Sequence, residues 1–107
     1  MKTFKIKQFE WAGKRYILKE PVEAQRERME NGLWVFKIPE YQTHVFAYLI
    51  QNAEKDLNED FAILYEDLCL EKNENLSPIA IELKNRVLAN LERIEDCNEA
   101  KTTHNID

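Results

Sequence analysis

Asn75-Leu76-Ser77-Pro78-Ile79-Ala80-Ile81 is the clearest structural instruction in the chain, and it fixes what lies on either side of it. Ser77 reads as a helix N-cap whose hydroxyl takes a free amide proton of the first turn, and Pro78 falls at the first helical position, where it has no hydrogen bond to lose. Leu76 and Ile81 are spaced as a hydrophobic staple that sets the entry angle. An amphipathic segment precedes this signal and another follows it.

Downstream, Ala80, Leu83, Val87, Leu91 and Ile94 form a helical stripe, widened by Ile79, Ile81 and Leu88. Upstream, Asp56 and Glu59 have capping-box spacing, and Leu57, Phe61, Leu64 and Leu68 follow on one face. Asn73-Glu74-Asn75 is a short polar link, so the two helices are expected to fold back as an antiparallel pair. Residues 41–53 fit two periods: Tyr41, Val45, Leu49 and Ala53 at helical spacing, and Thr43 to Tyr48 as a strand. A helix from near Glu40 is the expectation.

The N-terminal third carries strand signals. Phe4 and Ile6 alternate with Lys5 and Lys7, then Phe9 and Trp11 continue in the opposite register, which implies a bulge near Gln8. Trp11-Ala12-Gly13-Lys14 is a tight hairpin with Gly13 left-handed, and Arg15 to Lys19 returns. Pro21 is expected to end that strand, residues 22–30 to form a short exposed helix or an ordered loop, and Leu33 to Ile38 to form a central apolar strand. The resulting expectation is a small α+β domain over residues 1–97, a three-stranded antiparallel sheet packed against a C-terminal antiparallel helical pair with room for a further helix. Phe4, Ile6, Tyr16, Leu18, Trp34 and Phe36 should be in its core, and residues 98–107 should form a polar tail.

At 107 residues the chain is long enough for one domain with a real core. Cys69 and Cys97 have no neighbouring Cys or His at ligand spacing, which points to structural cysteines in a reducing, cytoplasmic setting. The first residues alternate charge with apolar side chains in place of a signal-peptide run, and no stretch reaches the roughly 18 apolar residues of a membrane span. The Asn75-Leu76-Ser77 acceptor pattern for glycosylation is explained by the N-cap.

Candidate chemistry is sparse. His44 with Cys69 is the one pairing that resembles a nucleophile and base, and a core cysteine beside a surface histidine explains it more simply. With two glycines the chain has no phosphate-cradling loop, and Asp56, Glu59 and Asp60, which share a helix face, suit a solvated helix start better than a metal site. No metal, cofactor or catalytic set is expected.

Charge is more informative. Residues 1–46 hold nine Lys and Arg against six Asp and Glu, a net +3, whereas residues 47–107 hold six against fourteen, a net −8. Glu54, Asp56, Glu59, Asp60, Glu66, Asp67, Glu71 and Glu74 fall within 21 residues. Such density can imitate a nucleic-acid backbone and occupy a basic groove on a protein partner. The leading expectation is therefore a non-catalytic regulator, inhibitor or adaptor that docks through this acidic face, for instance on a nuclease or a CRISPR or restriction effector. The alternative is direct nucleic-acid binding by the basic aromatic hairpin through Lys5, Lys7, Trp11, Lys14, Arg15 and Lys19, opposed by the low overall isoelectric point. A homodimer through exposed apolar residues around Trp11, Tyr41 or Tyr48 is a further option.

Overall fold

The computed structural model describes residues 1–97, so the expected polar tail lies outside the described residues. It is α+β, an antiparallel sheet with a pair of helices packed on one face. Among the described residues the sheet has five strands where three were expected. They are β1 (Lys2–Trp11), β2 (Lys14–Arg28), β3 (Trp34–Ile38), β4 (Thr43–Ala47) and β5 (Leu91–Asp96).

β2 is the axis of the sheet. It pairs with β1 along one edge, and along the other with β5 through Lys14–Leu18 and with β3 through Gln25–Arg28. β4 closes the far side against β3. The β1–β2 hairpin turns through Ala12 and Gly13, both at positive φ (52° and 79°), the geometry that matches the strand twist. The bulge foreseen near Gln8 is present, since the register shifts between Ile6 and Gln8.

Pro21 was expected to end β2, yet the strand runs through it. The proline lies in the register shift opposite Lys7, where β1 offers it no pairing position. Side chains serve the neighbouring backbone instead. Asn90 accepts from the Glu20 amide and donates to the Glu20 carbonyl, both at 2.9 Å, and Lys7 Nζ donates to the Lys19 carbonyl at 2.6 Å.

Three expectations of element type are corrected. Residues 22–28 are strand, with Val22 and Ala24 buried and Glu23 exposed between them. Their helix-forming composition is overridden because a short helix with little to bury is marginal, whereas as a strand they join β1 to β3. Residues 43–47 are strand as well, preceded by a 3₁₀ turn over Pro39–Tyr41 and a left-handed Gln42 (φ 54°). Val45 turns inward while His44 and Phe46 face out. The third correction concerns residues 91–96, expected as the end of the last helix, which form β5 and cover the edge of β2 that β3 does not reach.

Helix α1 (Ile50–Leu64) starts earlier than the Asp56 signal suggested and runs without a break into one π-helical turn over Tyr65–Cys69. After a 3₁₀ turn at Asn73–Asn75, α2 (Pro78–Asn90) begins as expected, with Ser77 Oγ accepting from the Ala80 amide at 3.2 Å. α1 is the main cover of the sheet. Leu57 and Phe61 are buried, and Phe61 stacks on Phe9 at 4.1 Å and meets Tyr16 and Tyr41 at 5.6 and 5.7 Å. α2 packs more on the π-helical turn than on the sheet and buries Val87 fully. Ile79 and Leu88, expected to widen its apolar stripe, are exposed, and Ile94 is in β5 opposite Tyr16. All six residues assigned to the core from the sheet are in it or packed against it.

Candidate partner-binding site

The acidic residues of the 54–74 segment divide over different surfaces. Asp60 and Asp67, seven apart on α1 and its π-helical extension, line a cleft of about 650 Å³ between α1, α2 and the start of β4. Exposed apolar side chains, Ile63 and Ile79, line it with them, and His44 stands at its β4 side. Glu54 points elsewhere, into a second cleft between α1 and β1. Glu66 lies near Tyr16, whose hydroxyl is pushed up by burial first and by the Glu66 charge second.

Glu71 has a structural task. Its Oε1 accepts from the Lys72 amide at 2.8 Å and from Asn75 Nδ2 at 3.0 Å, bonds that hold its carboxyl below the usual range. Lys84 closes the same turn through the Glu71 carbonyl and Asn73. Glu74 is exposed in that turn, and Asp56 and Glu59 are partly buried on α1.

Asp60 is the electrostatically costly member. Burial pushes its carboxyl above the usual range, and the neighbouring Asp56 charge pushes it further, opposed by His44. The ion pairs among the described residues engage Glu10, Glu82, Glu92 and Glu95, and none of the eight acidic residues of the 54–74 segment. The acidic stretch therefore carries its charge without an ion pair among the described residues, eased at Glu71 by the bonds of its turn and at Asp60 by His44.

The basic hairpin is compensated in part. Arg15 lies between Glu10 (3.7 Å) and Glu95 (3.3 Å), Lys5 is in register with Glu23, and Lys7 is bonded to the Lys19 carbonyl. Trp11 is partly buried with the Lys55 ammonium 5.9 Å from its ring centre. Lys14 and Lys19 remain exposed, on different faces of the β2 arm from Arg15 or past the bulge, so the six residues are not one continuous stripe.

His44 and Cys69 are placed in different environments. His44 is exposed and packs edge-on against Phe46 at 5.3 Å, whereas Cys69 is buried and its thiol is pushed up by burial, the opposite of an activated nucleophile. Cys97 is also a free thiol. No group of three or more His, Cys, Asp or Glu among the described residues is arranged to hold a metal ion. No helix among them is long and apolar enough to cross a membrane.

The apolar partners of the acidic cleft, Ile63 and Ile79, were not singled out in the sequence as surface residues. The signal was present for Ile63, which lies three residues after Asp60 and four before Asp67 and so shares their face. Ile79 belongs to the helix start, and its exposure follows from the orientation of α2, which no local pattern encodes. Compared with family models, curated proteins and solved structures, the chain matches none of them.

Proposed function

We propose that the protein is a non-catalytic regulator, inhibitor or adaptor that docks on a basic surface of a protein partner through the carboxylates of α1 and its extension. Asp60 and Asp67 at the cleft are the centre of the contact, and Asp56, Glu59 and Glu66 are its surround. The observation that carries this reading is the contrast in pairing: the acidic segment has no ion pair among the described residues, while in the hairpin Arg15 is ion-paired to Glu10 and Glu95 and Lys7 is bonded to the Lys19 carbonyl. Uncompensated like charge costs stability, and a basic partner would relieve it.

The cleft adds specificity to the charge. Ile63 and Ile79 offer apolar contact beside the two carboxylates, so the fitting surface presents a cation next to an apolar side chain. Nucleic-acid-handling enzymes, among them nucleases and CRISPR or restriction effectors, own basic grooves in which these carboxylates would stand in for phosphates. A cytoplasmic site of action accords with the two free cysteines.

The test is affinity capture from the source cell's lysate, with nuclease added. A discrete protein retained after nuclease treatment and released by salt supports the proposal. Retention of nucleic acid in place of protein sinks it and moves the function to Lys5, Lys7, Trp11, Lys14, Arg15 and Lys19.

A further inference from the structure

The second cleft, of about 400 Å³, lies between β1 and α1, on the other side of α1 from Asp60. Its floor is apolar, with Phe4, Ile6, Phe36 and Leu57, and Lys2 and Arg26 stand together at one end. β1 forms one rim of this cleft and is also the outermost strand, paired only with β2 among the described residues.

One contact shows which way the free backbone groups of β1 point. The Glu10 amide donates to Asn58 Oδ1 on α1 at 2.8 Å, and Asn58 Nδ2 is held on the Glu54 carbonyl at 2.8 Å. Asn58 thus occupies the place of the next strand's carbonyl. In a strand of L-residues the face taken by a side chain fixes the edge taken by its amide and carbonyl. Phe4 and Ile6 face the helices, so their amides turn to β2, and those of Thr3 and Lys5 turn with that of Glu10 to the open edge. Among the described residues no side chain is bonded to those amides as Asn58 is to that of Glu10.

We infer that the β1–α1 cleft is a second, independent docking site that takes an extended peptide segment of a partner protein as a sixth strand, with apolar residues alternating with acidic ones. Backbone pairing along Thr3 and Lys5 supplies the register, and every second side chain enters the cleft over Phe4, Ile6, Phe36 and Leu57. The acidic character follows from the balance of charge: Lys2 and Arg26 close one end with no ion pair among the described residues and Lys5 lies on the edge strand, against the carboxylate of Glu54 on the α1 side of the lining. A second copy of the chain fits poorly. Pairing β1 with β1 would set Lys2, Lys5 and Lys7 of both copies along one seam, and like charges across strands repel. The same lysines that discourage self-association select an acidic strand.

The experiment selects a displayed library of random twelve-residue peptides on the immobilised full chain and follows the best binder by amide exchange and titration. The expected result is an enriched class that alternates apolar and acidic residues and slows exchange at Thr3 and Lys5. Two variants test the geometry. Lys5→Pro removes an amide from the open edge without breaking a bond to β2, and Lys2→Glu with Arg26→Glu reverses the charged end, giving up the Arg26 contact with the Trp34 ring, so unfolding is measured beside binding. Each should weaken the peptide at least tenfold, and Asp60→Lys with Asp67→Lys should leave it unchanged, which separates this site from the acidic cleft. Absence of the alternating class, binding that survives both edge variants, or sedimentation showing a β1-mediated dimer overturns the inference.

Discussion

Phe61 joins the sheet to the helices through a single side chain. Its ring stacks on Phe9 of β1 and meets Tyr16 of β2 and Tyr41 of the turn before β4, with about 1% of its surface exposed. Phe61→Ala should therefore lower stability by about 3–5 kcal/mol, measured by urea unfolding, because three aromatic neighbours cannot all close on the cavity. A loss below about 1 kcal/mol would mean that α1 is not packed as described. Asp60 works against stability. Its carboxyl is raised by burial and by Asp56, so the native state keeps a proton that the unfolded chain releases. In the window from about pH 4, the ordinary aspartate value, up to the raised native value, stability falls as pH rises, and the penalty is present in full above it. Asp60→Asn should thus be more stable than wild type at pH 7, with the gain fading below about pH 4. A gain independent of pH, or a loss at pH 7, would contradict this. A residue whose removal stabilises the fold is the kind retained for binding.

Among the elements, the long central strand depends on a side chain far from it in sequence. Asn90, the last residue of α2, replaces a strand at the bulge of β2 by bonding both the amide and the carbonyl of Glu20, and it donates to the Tyr41 hydroxyl at 3.1 Å. Asn90→Ala should cost about 1 kcal/mol and raise amide exchange at Glu20 specifically, since it hands those exposed groups to water. Unchanged exchange there would show that the bulge holds itself together. This contact also marks where sequence reading stops. Ser77 and Pro78 announced α2 because capping is local, and the bulge near Gln8 was visible as a change of register. Val22–Arg28 and Leu91–Asp96 were misassigned because their strand state comes from the edges they pair with. The cue within them was an alternation of period two, Val22 and Ala24 inward with Glu23 outward, and Arg93 bonding Glu95 two residues on at 2.8 Å.

At the scale of the whole molecule, the difference in charge between the halves of the sequence becomes a difference in compensation. Cross-strand pairing ties down Arg15 between Glu10 and Glu95, while α1 and its extension carry carboxylates with no ion pair among the described residues. The count of charges was legible in the sequence. Which of them would be neutralised was not, because the partners of Arg15 come from β1 and β5, 5 and 80 residues away along the chain. The division of the acidic segment by α1 into two clefts was equally hidden, since it requires the position of β1.

The most direct measurement compares binding of the captured partner by wild type, by a variant with Glu59, Asp60, Glu66 and Asp67 all changed to Lys, and by a variant with Lys5 and Lys14 changed to Glu. The acidic variant should lose at least about 100-fold in affinity together with the salt dependence of association, and the basic variant should bind as wild type does. Undiminished binding by the acidic variant would contradict the account.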